Sequence, residues 1–415
     1  MKTVTILGGG IIGLCTAYYL NKEGYNVTVI DKSALNEGAS YVNAGYITPS
    51  HLISLASPGM LKKGLLSLLK KESPFYIKPR LDLTFFEWAY HFYQSTTKEK
   101  VQKAIPIIKE INLLSKSLYD QIRMSEDLGT FQLDKKGLLM LYKTQKEADR
   151  EFEVVKIAKN EGLNVQILNQ TELLQLEPTV NHEIQGGFLY KCDAHTTPNE
   201  FMPKMITYLK DNNVKIVSGE EVIDLEIKKN VVTKIVTHKN EYLSDEVVMA
   251  TGSWTGSLGN KLKLKIPVQP GKGYSINSSR DLGINYPAVL MESKVAVTPM
   301  IGFTRFAGTM EFSGSNTIIR PERVKAISNA VSDYYTQINL IDSELKNAKC
   351  GLRPITPDGL PYIGYVSSLE NLVVAAGHAM MGWSMGPATG KLVCELINKQ
   401  KTSMDLRMFC PNRFT

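Results

Sequence analysis

The sequence predicts an α/β and α+β fold of two domains, one built on a parallel sheet and the other on an antiparallel sheet. A strand, a glycine-rich turn, a helix and a second strand open the chain within residues 3–31, and buried-strand patterns return at 246–252 and 372–376. Residues 271–310 are instead rich in short β-like pieces that suit an antiparallel sheet. Because 415 residues are too many for one ordinary core, we expect the parallel-sheet segments to form a discontinuous first domain that the second domain covers.

Composition places the chain among ordinary globular proteins. Hydrophobic residues make up 43% and charged residues 21%, which excludes disordered and fibrous classes. The formal net charge of +7 is compatible with an anionic cofactor, an acidic substrate, an anionic membrane or an ordinary solvated surface, and it does not by itself indicate nucleic acid. The five cysteines are scattered without a CxxC pair. We therefore predict neither a disulfide framework nor a metal site, and a reducing compartment is favoured.

The amino terminus superficially resembles a secretory signal. However, Gly8, Gly9 and Gly10 interrupt its apolar stretch, and no small-residue cleavage site follows. No apolar run elsewhere approaches the ~18–20 residues needed for a membrane span. The sequence therefore predicts a cytoplasmic protein without a transmembrane helix.

Residues 3–31 have the order and spacing of a dinucleotide-binding unit. The β-branched run TVTIL leads into GGGIIG, a helix follows, and a second strand ends on Asp31. Gly8 permits the tight turn, Gly10 lets the backbone approach a pyrophosphate, and Gly13 allows close packing of helix on strand. The helix N-terminus offers N–H groups to the phosphates, and Asp31 can accept hydrogen bonds from a ribose hydroxyl.

This unit alone does not distinguish FAD from NAD. The stretch SYVNAG, residues 40–45, follows Asp31 closely, so the chain stays near the cofactor. Residues 246–252 have the pattern of a late buried strand that ends in a glycine turn and returns to the same sheet. These two features favour FAD.

The middle of the chain alternates helical and strand patterns, judged by apolar spacing and by β-branched runs between turns. The predicted helices are 98–123, 145–161, 198–212, 321–335 and 382–398, and the predicted strands are 137–142, 165–168 and a hairpin of 222–228 with 231–238. We assign 1–50, 145–262 and 345–415 to the cofactor domain, and 51–144 and 263–344 to the substrate domain.

Five sequence blocks, taken in order, resemble the D-amino-acid oxidase superfamily, and most closely the bacterial D-amino-acid dehydrogenases of the small-subunit type. The blocks are GGGIIG, SYVNAGYITPSH, QPGKGYSI, CGLRPITPDGLPYIG and AAGHAMMGWSMGPATGKL. Their order and spacing are far more specific than any one of them. Glycine and sarcosine oxidases are similar less closely.

The resemblance implies a fold, a cofactor and a reaction. The fold is a Rossmann-like FAD domain of the glutathione-reductase type, with an antiparallel substrate domain over the flavin. The reaction is oxidation of the Cα–N bond of a D-amino acid, or of a cyclic imino acid of the D-proline or D-hydroxyproline type. It proceeds by hydride transfer to flavin N5 and gives an imine that hydrolyses to a 2-oxo acid.

Dehydrogenases of this type are associated with the cytoplasmic side of the membrane and pass electrons to a respiratory-chain quinone rather than to oxygen. An oxygen-using oxidase of the glycine or sarcosine type is the alternative. An RNA-modifying flavoprotein is more remote, because no aromatic–basic interleaving marks a nucleic-acid surface.

Arg353 is the first candidate for the substrate site. Its planar guanidinium supplies the fork of donors that a carboxylate needs, and the matching arginine of the related oxidases clamps the substrate carboxylate. An arginine paired with a core carboxylate such as Asp358 is the alternative. Tyr274 is either a second donor to the substrate carboxylate or a packed strand aromatic. His378 either borders the reacting face of the flavin or satisfies a turn.

Further residues are predicted to contact the cofactor. N–H groups of Gly382 and Trp383 would meet the N1–C2=O edge of the flavin, where a helix N-terminus stabilises negative charge. Val222 matches a position whose backbone pairs with the adenine. The full predicted set is Gly8, Gly10, Ile12, Gly13, Asp31, Lys32, Ser40, Asn43, Ala44, Gly45, Val222, Thr251, Gly252, Trp254, Gly377, Gly382, Trp383 and Ser384.

Two further sets of residues invite catalytic interpretations. Cys350 lies near the position of a covalent flavin anchor in sarcosine oxidases but is displaced from it, so we predict that FAD is held non-covalently. Asp193 and His195 invite an acid–base interpretation, although a turn that opens the helix at Pro198 explains them as well. We name no general base, because flavin chemistry requires mainly orientation and electrostatics from the protein.

Residues 60–71, MLKKGLLSLLKK, form a basic amphipathic pattern. At helical spacing Leu61, Leu65, Leu68 and Leu69 share one face, and lysines lie opposite. Such a helix either lies on an anionic bilayer or packs against the substrate domain.

Overall fold

The computed structural model describes residues 2–58 and 75–415, so the predicted amphipathic segment 60–71 lies outside the described residues. The strands, in chain order, are β1 (Thr3–Leu7), β2 (Asn26–Asp31), β3 (Tyr46–Ile47), β4 (Phe75–Ile77), β5 (Leu138–Tyr142), β6 (Val165–Asn169), β7 (Gly186–Tyr190), β8 (Ala194–His195), β9 (Lys215–Ser218), β10 (Val222–Lys228), β11 (Val231–Thr237), β12 (Glu241–Tyr242), β13 (Glu246–Met249), β14 (Gln269–Ser278), β15 (Ala288–Leu290), β16 (Val295–Met300), β17 (Phe303–Phe312), β18 (Lys349–Ile355), β19 (Tyr362–Tyr365) and β20 (Leu372–Ala376). The helices are α1 (Ile11–Lys22), α2 (Leu83–Ser95), α3 (Lys98–Met124), α4 (Gln145–Asn160), α5 (Gln170–Leu176), α6 (Pro198–Asp211), α7 (Thr255–Lys261), α8 (Pro321–Tyr334), α9 (Asp342–Lys346) and α10 (Gly382–Ile397).

The first sheet contains β19, β20, β13, β1, β2 and β9 in that spatial order. Strand β19 runs antiparallel to β20, whereas the other neighbours are parallel. The inner strands β13 and β20 are buried along their whole length, which explains their continuous apolar runs. The chain leaves β1 toward β2 on one side and later returns as β13 on the other. This arrangement places a ligand-binding crevice at the carboxyl end of β1.

Helices α1 and α10 approach each other closely beside this sheet. A Cβ on Gly390 would lie 2.5 Å from the backbone carbon of Cys15, and a Cβ on Gly386 would lie 2.7 Å from Ile11 Cγ1. Helix α3 shares their core, and Tyr119 of α3 donates a 2.7 Å hydrogen bond to the carbonyl of Trp383. Glycine is therefore needed where the two helices meet, and α3 holds the start of α10 in place.

The second sheet contains β18, β14, β17, β16, β15, β5, β7 and β6, with β4 beside β17. Its neighbours are antiparallel except for β5 with β15 and β4 with β17. The predicted mixed fold class is thus confirmed. Strands β6, β7 and β18 come from segments that we assigned to the cofactor domain, and α3 comes from a segment that we assigned to the substrate domain. The domain boundaries remain a prediction.

Two smaller sheets complete the fold. Strands β10, β11 and β12 form one, and the predicted hairpin is confirmed, with φ of 49° at Lys229 and 62° at Asn230 in its two-residue turn. Strands β3 and β8 form the other, with Tyr46 opposite His195. Within residues 2–58 and 75–415, no helix combines the length and apolarity that crossing a bilayer requires.

Candidate active site

A cavity of about 1120 Å³ extends from the glycine turn after β1 to strands β14, β17 and β18. Most of the predicted site residues form its wall, although they come from segments far apart in the chain. The predicted residues in the wall are Gly8, Gly10, Ile12, Asp31, Lys32, Ser40, Asn43, Ala44, Val222, Thr251, Gly252, Trp254, Tyr274, Arg353, His378, Gly382, Trp383 and Ser384. The fold therefore brings these residues together around one space.

The glycine turn forms one part of the cavity wall. Gly8 has φ of +108°, and a Cβ there would lie 2.4 Å from the carbonyl oxygen of Ala250, so only glycine suits the position. Gly10 precedes the first residue of α1, and the N–H of Ile11 donates a 3.0 Å hydrogen bond to Ser40 Oγ. The N-terminus of a twelve-residue helix thus faces the cavity, in the arrangement that binds a pyrophosphate.

Three predicted glycines lie outside the cavity wall. A Cβ on Gly13 would lie 1.9 Å from the carbonyl oxygen of Gly8, so Gly13 permits α1 to pack on the turn. Gly45 and Gly377 have φ of +74° and +81°. These three residues shape the backbone around the cavity and do not face it.

Asp31 is already engaged within the protein. Its Oδ2 accepts a 2.7 Å hydrogen bond from the N–H of Gly9, and its Oδ1 accepts from the N–H and Oγ of Ser33. A carboxylate has about four lone-pair sites, so a ribose hydroxyl can still donate to it. Nearby, Lys32 Nζ lies 3.7 Å from the centre of the Trp254 ring. Asp31 therefore fixes the turn as well as offering an acceptor to the cavity.

The start of α10 forms another part of the wall. Ser384 Oγ accepts a 2.9 Å hydrogen bond from the N–H of Thr48 and donates to Asn112 Oδ1. The indole of Trp383 is buried and donates to Thr196 Oγ1 at 2.7 Å. The side chains of this turn thus anchor it to the protein, which leaves backbone groups to face the cavity.

Arg353, on β18, lies in another part of the cavity wall. Its guanidinium lies flat over Gly273 of β14, where a Cβ would come within 2.3 Å of its Cζ and both terminal nitrogens. Its Nη1 donates a 2.7 Å hydrogen bond to the carbonyl of Thr309. Burial lowers the pKa of Arg353 to about 10, so the side chain is charged at neutral pH.

No carboxylate pairs with this guanidinium among residues 2–58 and 75–415. Asp358, the alternative partner considered above, instead forms a two-contact pair with Arg413, at 2.7 and 3.0 Å. Half-buried Arg353 therefore presents a positive charge to the cavity without a protein counter-ion. Such a group is suited to bind a carboxylate.

Tyr274 lines the cavity, but its hydroxyl is engaged elsewhere. It donates a 2.7 Å hydrogen bond to Glu311 Oε2, and the buried Lys272 Nζ lies 3.2 Å from Glu311 Oε1. Burial and this glutamate raise the pKa of Tyr274. Because the single hydroxyl proton is used within the core, the geometry favours the packed strand aromatic over a donor to substrate.

The three histidine and aspartate candidates fall in different places. His378 lines the cavity, its Nε2 lies 2.9 Å from Thr389 Oγ1, and burial lowers its pKa to about 3, so the ring is neutral. Asp193 and His195 do not line the cavity. Instead, His195 Nε2 donates to the carbonyl of Pro299 at 3.0 Å.

Arg305 and His51 are among the wall residues that sequence reasoning missed. Arg305 is buried, and its Nη1 donates to the carbonyls of Tyr41 and Asn43 at 2.8 and 2.6 Å, so it fixes the loop that we predicted to contact the flavin. His51 ends the block SYVNAGYITPSH and also lines the cavity. Only its place within that block signalled it, whereas nothing in the strand pattern distinguished Arg305.

The glycine turn at the switch point of the first sheet, with the N-terminus of α1 facing the cavity, is the arrangement that binds a dinucleotide cofactor. The comparisons specify the family. Residues 3–396 match the family described as FAD dependent oxidoreductase, and the chain belongs to it.

Relatives and solved structures agree with this family. The chain is 31% identical over 399 residues to the D-amino acid dehydrogenase of Helicobacter pylori (strain J99), covering 95% of this chain and 94% of that protein. It is 31% identical over 409 residues to the D-amino acid dehydrogenase of Vibrio vulnificus (strain CMCP6), covering 97% of both.

Among solved structures, glycine oxidase from Geobacillus kaustophilus has a TM-score of 0.80 at 21% identity, covering 100% of this chain and 99% of that one. L-Proline dehydrogenase from P. horikoshii has a TM-score of 0.73 at 21% identity, covering 100% and 97%. These structures share the fold.

Proposed function

We propose that the protein oxidises the Cα–N bond of a D-amino acid, or of a cyclic imino acid of the D-proline type, to an imine. The observation that carries the proposal is the guanidinium of Arg353, which lines the cavity without a carboxylate partner among residues 2–58 and 75–415. It supplies the fixed charge that a substrate carboxylate requires. The relatives named D-amino acid dehydrogenases support the substrate class.

When bound, FAD would supply the acceptor for the hydride that leaves Cα, while the protein orients the substrate. The turn Gly8–Gly10 and the start of α10 would hold the cofactor without a covalent link, since the Cys350 thiol already donates to the carbonyl of Thr317 at 3.3 Å. Arg353 would fix the carboxylate. Apolar side chains around Met310 and Ile355 would exclude water from the reacting bond.

Anaerobic bleaching of the visible flavin band tests this function. The holoenzyme is mixed with panels of D- and L-amino acids, prolines and N-methyl glycines. We expect bleaching by D-amino acids or cyclic imino acids and not by their L enantiomers. Failure of every amino and imino acid to bleach the flavin would overturn the proposal.

The electron acceptor is proposed to be a quinone of the respiratory chain. Reduced enzyme is mixed in one experiment with a water-soluble quinone and in another with air. We expect fast reoxidation by the quinone and slow reoxidation in air. Rapid turnover in air with release of peroxide would establish the oxidase alternative.

We also propose peripheral contact with the inner face of the cell membrane. On α2, Leu83, Phe86, Tyr90 and Tyr93 recur at helical spacing and are exposed by 86%, 52%, 59% and 66%. In the sequence, the lysine-rich segment 60–71 precedes this helix. An exposed apolar stripe on a helix, preceded in the sequence by basic residues, suits an anionic bilayer.

Sedimentation with lipid vesicles tests the membrane contact. Binding to anionic vesicles is expected to fall strongly when Phe86, Tyr90 and Tyr93 are all changed to Ser. Leu243→Ser, at a residue 75% exposed elsewhere on the surface, is the matched control. Equal binding by the triple variant and the wild type would contradict the proposal.

A further inference from the structure

A chain of three side chains leads from the cavity to a buried carboxyl group. His51 lines the cavity, and its Nδ1 lies 3.3 Å from Ser50 Oγ. Ser50 Oγ donates a 2.5 Å hydrogen bond to Asp193 Oδ2, and the Ser50 N–H donates to Oδ1 at 3.1 Å. Asp193 is fully buried. The pairing of β3 with β8 brings the two segments together, since Ser50 follows β3 and Asp193 immediately precedes β8.

The hydrogen-bond inventory fixes the direction of this chain. An ionised Asp193 only accepts, and Ser50 has one hydroxyl proton, which it donates to Asp193. Ser50 Oγ must then accept from the Nδ1–H of His51. The remaining ring nitrogen, Nε2, carries a lone pair, and no residue in 2–58 or 75–415 donates to it. His51 therefore presents a proton acceptor at the cavity wall.

The segment that carries His51 runs between the two parts of the site. On one side, the Thr48 N–H donates to Ser384 Oγ in the first turn of α10. On the other side, Leu55 packs in a cluster with Met310, whose sulfur lies 3.8 Å from Arg353 Nη1. His51 and Arg353 line the same cavity, and these contacts tie the segment that carries His51 to the wall around Arg353.

We propose that His51, Ser50 and Asp193 form a proton relay that deprotonates the substrate's ammonium group. This inference rests on the proposed function, because an amino acid arrives with a protonated amine that must lose a proton before its Cα–N bond is oxidised. An N–H bond of the substrate breaks and an Nε2–H bond forms on His51. The Nδ1 proton passes to Ser50, and the Ser50 proton passes to Asp193, which becomes a neutral carboxylic acid. No electrons are transferred in this step, and no co-reactant is needed.

The electrostatics favour Asp193 as the final acceptor. Burial raises its pKa to about 7, although hydrogen bonds from Ser50 and Cys192 and the charge of Lys116 act in the opposite direction. The phenol of Tyr190 is not a partner of this carboxylate, because it donates a 2.7 Å hydrogen bond to Glu151 Oε1. Burial lowers the pKa of His51 to about 4, so the proton is held better on Asp193 than on the ring. His51 is the catalytic residue that touches substrate, and Ser50 and Asp193 act through it.

The pH dependence of anaerobic flavin reduction by a D-amino acid tests the relay. At about pH 7 the variants His51→Asn, Ser50→Ala and Asp193→Asn are each expected to be reduced about 100-fold more slowly than wild type, the contribution typical of a positioned base. At about pH 9 the deprotonated substrate fraction is about 100-fold larger, and the deficit should almost vanish. The double variant Ser50→Ala/Asp193→Asn should be no slower than either single variant, because the residues act as one chain.

Glu395→Gln is the matched control. Ser403 donates to Glu395 through both its hydroxyl and its N–H, as Ser50 does to Asp193, but this pair lies outside the cavity wall. Its variant should keep the wild-type pH profile. A loss that is equal at both pH values in the relay variants would indicate a structural role and overturn the proposal.

Infrared spectroscopy supplies a readout that does not depend on turnover. The probe is 2-aminoisobutyrate, an amino acid with no hydrogen on Cα. Its binding to the wild-type holoenzyme should produce the C=O band of a protonated carboxyl group, and the band should be absent in Asp193→Asn and Ser50→Ala. Absence of the band in wild type overturns the relay. If D-amino acids bleach the wild type and the variants alike, the relay fails and the proposed function stands. Failure of the wild type to bleach overturns both.

Discussion

Two parts of the cavity wall, the glycine turn (the backbone end) and the surroundings of Arg353 (the side-chain end), are built differently. At the glycine turn, Gly8, Gly9 and Gly10 line the cavity without side chains, and an added Cβ would lie 2.4 Å from Ala250 O at Gly8 and 2.2 Å from Leu35 Cδ2 at Gly9. At the side-chain end, the surface is a charged side chain on β18, which lies over a glycine of β14 and is held by a carbonyl of β17. A backbone site depends on a few contiguous residues, whereas a side-chain site depends on the register of a sheet. Substitutions at the two ends should therefore fail in different ways.

The largest effect is expected at the side-chain end. Arg353→Ala removes two charge-assisted hydrogen bonds to the substrate carboxylate, and kcat/KM should fall by about 4 kcal/mol, or roughly 1000-fold. The flavin spectrum of the resting enzyme should remain that of wild type. Arg353→Lys keeps the positive charge but loses the planar pair of donors. Its kcat/KM should therefore lie between the values for wild type and Arg353→Ala. A wild-type rate of bleaching in Arg353→Ala would remove the carboxylate assignment.

At the backbone end, Gly13→Ala should damage stability and cofactor binding together. Its Cβ would lie 1.9 Å from the carbonyl oxygen of Gly8, so the turn must move, at a cost of about 3 kcal/mol. The measurements are bound FAD per chain and the free energy of unfolding in urea. Gly259→Ala is the control, because that glycine is also helical but its nearest contact would be an ordinary 3.5 Å. Equal behaviour of the two variants would show that the turn tolerates displacement.

The same contrast explains what could be predicted from the sequence. GGGIIG specifies its own local geometry, so the turn, the helix and the switch-point sheet followed from contiguous residues. Arg353 was predicted from its chemistry and its block, and it lies in the cavity wall. Arg305 was missed, because its role depends on carbonyls more than 260 residues away. Tyr274 stayed ambiguous for a similar reason: its partner Glu311 lies on another strand.

Neighbouring residues in the sequence also separate in the structure. The sequence suggested Asp193 and His195 as one acid–base unit. In the structure, however, their carboxyl and imidazole have different partners: Asp193 accepts from Ser50, whereas His195 donates to the carbonyl of Pro299. Long-range partners cannot be inferred from local pattern, and they decide the chemistry of each group.

Gly273→Ala tests the comparison further, because it places a methyl group against the guanidinium of Arg353. The new Cβ would lie 2.3 Å from the guanidinium of Arg353. Since that guanidinium ends a flexible side chain, it can move aside, and stability should change little. KM for the amino acid should rise about 30-fold, corresponding to about 2 kcal/mol, from misplacement of the fork. A large fall in Tm with an unchanged KM would instead show that the strand pair is the rigid element.

The smallest effect is expected at His195, on strand β8 where β8 pairs with β3. His195 is fully buried there, and burial lowers its pKa from 6.5 to about 4, with the Asp134 carboxylate acting in the opposite direction. Between pH 6.5 and about 4, His195 binds a proton in the unfolded chain but not in the folded chain. The contribution of neutral His195 to stability is therefore fully present above pH 6.5 and is lost as the pH falls below that value.

Lowering the pH from about 7.5 to about 5.5 should therefore destabilise wild type by about 1.4 kcal/mol more than His195→Gln, in which this titration is absent. Urea unfolding of both proteins at the two pH values measures the difference. His51 and His378 titrate in the same direction, and they contribute equally to both proteins and cancel in the comparison. Parallel losses in the two proteins would mean that His195 is protonated without cost in the fold. In that case the Asp134 carboxylate, rather than burial, would control the charge of His195.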